Sequence, residues 1–254
     1  MKQEEAVKYI SESLMKDERV QAIFLKGSMG RGDYDEYSDV DLYCLVEEQD
    51  ELSFLKDRIS HLESYRELLF YEDIFIIAPQ IIAVYDNLLH VDFFTVTEKS
   101  FKEKDYFQVV YDPMGTLERF KDTQNLLLSK EDFDGHAYDV AWFLFQYNKA
   151  NQRGNDIWAV EMLHHVFHNL ARVLLHRYNP DRAQLGLKAL ETQLPSTILE
   201  KVKPIVDNNT LNRHVKSVQH LTILLTEEIQ WIETNLDKKS QAGKFIRKMV
   251  EVLT

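Results

Sequence analysis

Three of the eight glycines in this 254-residue chain fall within six positions, Gly27-Ser28-Met29-Gly30-Arg31-Gly32. They directly follow the apolar run Ala22-Ile23-Phe24-Leu25. Glycine at the end of a strand lets backbone amides come close to a ligand, and clustered N–H groups form a nest for an anion. Ser28 adds a hydroxyl donor, and Arg31 a guanidinium suited to phosphate oxygens. A local reading of Arg31 also stands, in which it neutralises Asp33 and Asp35. The segment is not a Walker loop, because no Gly-Lys-Ser/Thr is present, and its glycine gaps do not fit a dinucleotide fingerprint.

The next acids sharpen the picture. Asp39-Val40-Asp41-Leu42 opens an extended segment, and the two-residue period of a strand puts both carboxylates on one face. Val40, Leu42 and Cys44 then point to the other face, toward a core. Two carboxylates projecting together repel unless a cation joins them, and Mg²⁺ is the usual one where phosphate is near. Asp92 is the single acid in Leu89-His90-Val91-Asp92-Phe93-Phe94, where an unpaired ionised group would be costly. If its strand neighbours that of Asp41, then Asp39, Asp41 and Asp92 surround one metal site. Such an arrangement suits two-metal nucleotidyl transfer, with a triphosphate steadied and an attacking hydroxyl activated.

The elements that must position these groups follow from pattern. Ala6, Val7, Ile10 and Leu14 give helical spacing within 3–17. Strands are expected at Val20–Leu25 and Val40–Val46, a helix at Leu52–Leu62, and a hairpin or two successive strands from Ile74–Ala78 and Ile81–Tyr85 around Pro79-Gln80. Leu88–Val96 and Phe107–Tyr111 complete the extended set. Strands mixed with helices imply an α+β domain, a mixed sheet with flanking helices. From about residue 134 the strand signals stop. Helical spacing runs through Tyr138, Ala141, Trp142, Phe145 and Lys149, then through Val160, Leu163, Phe167, Leu170 and Leu174, and again over Leu211–Leu236. Pro180, Pro195 and Pro204 separate the pieces. An all-α helical bundle is expected there, with Trp142, Phe143, Phe145, Trp158 and Phe167 in its core or, for some of them, lining an acceptor or base pocket. The division falls at 1–132 and 133–254.

Charge divides in the same way. Residues 1–130 carry 15 basic and 27 acidic side chains, whereas residues 131–254 carry 15 of each. Broad binding to DNA or RNA needs a basic surface to release counterions, and this field is the opposite. A cationic small molecule, or an anion brought in by a metal, fits it better. The alternative is that the acid serves solubility alone. One cysteine excludes a disulfide framework. No apolar run approaches the roughly 20 residues of a membrane span, and the charged N-terminus carries no secretory pattern. A cytoplasmic protein with no membrane partner is expected.

Gly27-Ser28, then Asp39-Val40-Asp41 after ten intervening residues, then a strand-borne Asp92, resembles the DNA polymerase β-type nucleotidyltransferase superfamily. The longer run from Gly27 to Leu42 is similar to small bacterial members that modify aminoglycoside and lincosamide antibiotics. The likeness spans roughly residues 20–115. It implies a catalytic domain followed by a helical domain that binds the acceptor or acts as a lid. It implies that Gly27 and Ser28 bind the β/γ-phosphates of an NTP, that Asp39 and Asp41 ligate Mg²⁺, and that Asp92 is the third ligand or the base. In some relatives a glutamate from the helical half is the base, which makes Glu161 a candidate. Lys149 and Arg153, one helical turn apart, could reach a triphosphate, or could be a solvated basic face. The implied reaction moves NMP, ATP being one donor, from an NTP to a small-molecule hydroxyl with release of pyrophosphate. Antibiotic resistance would be the consequence, and some small members are homodimers. The alternatives are transfer to a protein acceptor, or a silent nucleotide- or partner-binding module.

Overall fold

The computed structural model describes residues 1–101 and 105–254. The described chain forms two compact units, Met1–Asn125 and Leu126–Thr254.

The first unit is built on a sheet of six described strands in the order β3-β4-β5-β2-β1-β6. They are β1 (Val20–Leu25), β2 (Val40–Val46), β3 (Leu68–Phe75), β4 (Pro79–Tyr85), β5 (His90–Val96) and β6 (Gln108–Tyr111). Only the β2/β5 pairing is parallel among those described; the others are antiparallel, so the sheet is mixed. Helix α1 (Lys2–Leu14) starts with Glu4 and Glu5 in its first turn, where negative charge favours the helix dipole. Its buried stripe Ala6, Val7, Ile10 and Leu14 joins a core with Ile23, Val40, Leu42, Cys44, Val91 and Phe93. Cys44 is fully buried there as a small apolar side chain.

The opposite face carries Phe24, Tyr43, Leu45, Phe94 and Val96, packed with Phe101 and Leu117. Tyr43 stacks on Phe94 at 4.4 Å and on Phe24 at 5.1 Å between centroids. Burying one such ring stabilises the fold by about 1.5–3 kcal/mol, and this stack fixes strands β1, β2 and β5 side by side. Asp41 and Asp92 project from the same face, two residues before Tyr43 and Phe94.

Several sequence expectations need correction here. The expected helix Leu52–Leu62 is two short helices, α3 (Glu48–Phe54) and α4 (Arg58–Leu62). The first hairpin strand is Leu68–Phe75 rather than Ile74–Ala78, because β3 is an edge strand exposed on both faces and leaves no burial period to read. A short helix, α2 (Gly27–Arg31), forms within the glycine segment.

The second unit is all helical among its described elements. It comprises α5 (Lys130–Gln152), α6 (Asp156–Tyr178), α7 (Leu187–Gln193), α8 (Ser196–Asp207), α9 (His214–Asn235) and α10 (Ala242–Leu253), with a 3₁₀ turn at Pro180–Leu185. Ser129 caps α5 by accepting from the Asp132 amide, and Asn155 caps α6 by accepting from the Trp158 amide. Leu144, Leu163, Val166, Leu170, Leu174 and Leu225 are among the side chains that fill its core. Pro204 lies inside α8 rather than between helices. Phe143, Phe145 and Phe167 pack against the core. Trp142 and Trp158 do not belong to it; they are 38% and 50% exposed.

Candidate active site

Strand β1 ends at Leu25, and Lys26 continues it by donating its amide to the Asp41 carbonyl at 3.0 Å. The chain then turns sharply. Gly27 sits at φ +61, in the left-handed region, and a β-carbon there would lie 1.8 Å from Asp41 Oδ2. Glycine is therefore required twice over, by its dihedral and by the carboxylate beside it. Gly30 has no room either, since a β-carbon would meet the Leu25 and Tyr106 carbonyl oxygens at 2.6 and 2.9 Å.

Ser28 follows with its hydroxyl oxygen buried and no hydrogen-bond partner. A buried, unmatched hydroxyl costs free energy that a bound acceptor group would recover. Arg31 is held by two carboxylates, Asp105 at 2.7 Å and Asp33 at 3.2 Å, and its side chain is 10% exposed. Its charge is thus partly spent within the first unit, and Asp33, not Asp35, is the neighbour it neutralises. Burial raises the Asp105 carboxyl above its ordinary value, against the pull of Arg31.

The parallel register of β2 and β5 sets Asp41 directly opposite Asp92, which makes them neighbours on one face. Asp39, His90 and Asp92 bring one potential ligand atom each to within 4.8 Å of one another. His90 bridges the two acids, with Nε2 3.2 Å from Asp92 Oδ1 and Nδ1 3.9 Å from Asp39 Oδ2. The hydrogen bond to Asp92 is the largest influence on the imidazole and raises its pKa, with Asp39 and Asp41 adding to the effect. Among the described residues this is the one three-residue group of its kind. Asp41 is not part of it; its carboxylate is turned to Gly27.

Two carboxylates and an imidazole are a donor set that can hold a divalent cation. The carboxylate oxygens suit a hard ion, while the imidazole nitrogen extends the choice to first-row transition metals. The sequence reading had Asp39, Asp41 and Asp92 around the metal. The structure groups Asp39 and Asp92 with His90 and sets Asp41 opposite Asp92, and the two-residue strand period from Asp92 is the signal that points to His90.

Two further groups escaped the sequence reading. Lys26 is 7% exposed, with its ammonium 3.3 Å from Gln124 Oε1 and over the rings of Phe101 and Tyr43. Burial lowers its pKa to about 8, with Asp105 opposing. Gln80, on β4, donates to Asp92 Oδ1 at 2.7 Å. The remaining sequence candidates lie in the second unit. Lys149 and Arg153 are exposed at the end of α5, Lys149 over the Phe145 ring at 5.3 Å. Glu161 is exposed on α6 and engaged by His165 at 3.2 Å and His164 at 3.6 Å.

Residues 8–90 match the family model described as polymerase beta, nucleotidyltransferase. No curated protein matches the sequence. Among solved structures, an aminoglycoside 6-adenyltransferase from Bacillus subtilis is 13% identical, with 98% of each chain covered and a TM-score of 0.42. A nucleotidyltransferase-like protein from Exiguobacterium sibiricum is 14% identical, over 96% of this chain and 78% of that one, with a TM-score of 0.43. A cyclic dinucleotide synthase from Elizabethkingia meningoseptica is 11% identical, over 98% and 90%, with a TM-score of 0.31. Likenesses this distant say nothing of what the chain acts on. The family match over residues 8–90, the glycine turn against Asp41 and the Asp39–His90–Asp92 cluster together support a nucleotidyltransferase fold of the polymerase β type in the first unit, and nucleotidyltransferase activity with it.

Proposed function

We propose that the protein transfers NMP from an NTP to a hydroxyl of a small molecule, with Mg²⁺ as cofactor and pyrophosphate as the second product. The observation that carries this reading is the unpartnered Ser28 hydroxyl on a turn whose glycine abuts Asp41, beside the Asp39–His90–Asp92 cluster. Ser28 and the backbone amides of the turn would hold the terminal phosphates. Asp39, Asp41 and Asp92 would hold the metal, with His90 beside them. A bound Mg²⁺ would supply charge compensation for the phosphates.

The acceptor oxygen attacks the α-phosphorus and forms the new P–O bond. The bond from that phosphorus to the α–β bridging oxygen breaks, and its electron pair leaves with pyrophosphate. The acceptor's proton passes to the Asp92 carboxylate. Residues 1–132 would be the catalytic domain, and 133–254 would bind or cover the acceptor. The excess of acid in the first half favours a cationic acceptor, and antibiotics of the aminoglycoside or lincosamide type are the first class to try.

A second reading has its own observation. Leu69, Phe70, Tyr71, Phe75, Ile76 and Ile77, on edge strand β3 and the turn after it, are all about half exposed or more. Exposed apolar edges accept extended segments of other chains, so a protein side chain is the alternative acceptor.

The test is pyrophosphate release with Mg²⁺ and each of the four NTPs, across aminoglycosides, lincosamides and protein extracts. Release that depends on one acceptor and vanishes in Asp41→Asn supports the proposal. NTP binding without release, across every acceptor, would reduce the protein to a silent nucleotide-binding module.

A further inference from the structure

We propose that Gln80 is a positioning residue for Asp92, and that it divides the labour between the two oxygens of that carboxylate. The inference rests on the reading of Asp92 given above. Gln80 is 4% exposed. It stands opposite Phe94 on β5 and Ile74 on β3, so its side chain shares the face that carries Asp92, two residues from Phe94. From there its Nε2 donates to Asp92 Oδ1 at 2.7 Å, and His90 Nε2 lies 3.2 Å from the same oxygen.

Two donors on one oxygen have two consequences. Rotation of the carboxylate is restrained, because turning it breaks both contacts. Oδ2 keeps its lone pairs, and is therefore the oxygen that meets a cation or takes a proton from the acceptor. The amide suits this task better than the alternatives. An apolar residue at position 80 would leave Oδ1 short of a donor in a half-buried setting, which costs free energy. A lysine or arginine would satisfy it but bring a positive charge that competes with a metal. A buried glutamine satisfies the carboxylate without that charge, as outer groups around a metal site commonly do.

The test uses the full chain and Mn²⁺ alone as the probe, read by electron paramagnetic resonance, alongside the pyrophosphate assay. Gln80→Met keeps the length and removes the donor. The expected result is Mn²⁺ binding weakened by about 10-fold or more, the scale of such outer-group losses. Turnover should fall in parallel with KM for the NTP unchanged, because the phosphate turn is untouched. Wild-type Mn²⁺ affinity and wild-type kcat in Gln80→Met overturn the inference. Absence of Mn²⁺ binding in the wild-type protein removes the metal reading of the site, and this inference with it. If Gln80→Met does not fold, the side-chain amide resonances of Gln80 in the ¹⁵N-labelled wild-type protein decide. They are expected to move on addition of Mg²⁺, and resonances that stay put overturn the inference.

Discussion

Gly27 and Asp41 occupy each other's space so closely that a β-carbon on residue 27 would lie 1.8 Å from Asp41 Oδ2. The turn and the strand that carry the site are thus fitted together at one atom. Gly27 also holds φ +61, a conformation that costs residues with a side chain about 1–2 kcal/mol. A single substitution tests both demands.

Gly27→Ala should therefore displace the Asp41 carboxylate and reshape the turn. We expect NTP-dependent pyrophosphate release to fall by about 100-fold or more, the scale reported when a reacting geometry is displaced by an ångström. Far-ultraviolet circular dichroism should remain that of the folded protein, since the rest of the sheet does not depend on residue 27. Retained turnover in this variant would contradict the placement of the site.

Asp41→Asn keeps the shape of the side chain and removes its charge. Its turnover should be abolished and its fold retained, because Asp41 lies on the face that carries the site while Val40 and Leu42 on either side of it fill the core. Activity retained in the variant would remove Asp41 from the metal assignment, whatever the acceptor turns out to be.

Much of the first unit was readable in the residues because its central strands are apolar runs with clear ends. Val20–Leu25 and Val40–Val46 occur with the bounds read from sequence. Edge strand β3 was not readable over its length, because Leu69, Phe70 and Tyr71 are exposed and impose no alternation. Asp41 and Asp92 were recognisable as acids in apolar strands, but their pairing depends on a parallel register that no local pattern encodes. His90 was within reach, two residues from Asp92 on the same strand. Gln80 was not, because its partner lies across a strand boundary, and a lone glutamine beside proline carries no chemical signature. Helical spacing alone does not say which face is covered, and Trp142 and Trp158 lie exposed rather than in the core.

Acid should erode stability in part through a cluster away from the site. Asp17 accepts from Arg19, and His61 Nε2 lies 3.3 Å from Asp17 Oδ2. The Arg19 hydrogen bonds hold the Asp17 carboxyl down at about 2, below its ordinary 3.8. Burial holds the His61 imidazole below its ordinary 6.5, against the pull of Asp17. Both folded values are depressed, so both contributions are present above the unfolded values and are lost as pH falls. His61 should erode stability first, below pH 6.5, and Asp17 later, between about 4 and 2. Urea unfolding across pH checks this: His61→Asn should reduce the loss below pH 6.5 without abolishing it, because burial also holds His168 and His176 low, and Asp17→Asn should reduce the loss between about 4 and 2.

Ser28→Ala separates binding from folding. The Ser28 hydroxyl is buried with no partner in the protein, so its removal breaks no hydrogen bond. Replacing an unsatisfied buried polar group by an apolar one is neutral or stabilising, by up to about 1 kcal/mol. Affinity for a triphosphate should move the other way. A hydrogen bond to a charged group contributes about 1.5–3 kcal/mol, which is about 10-fold or more in the dissociation constant. Calorimetric titration with NTP and urea unfolding of the same variant give both values. An unchanged affinity would remove Ser28 from the phosphate site. A loss of stability would mean that the hydroxyl serves the fold, and the unfilled donor would no longer argue for a ligand at the turn.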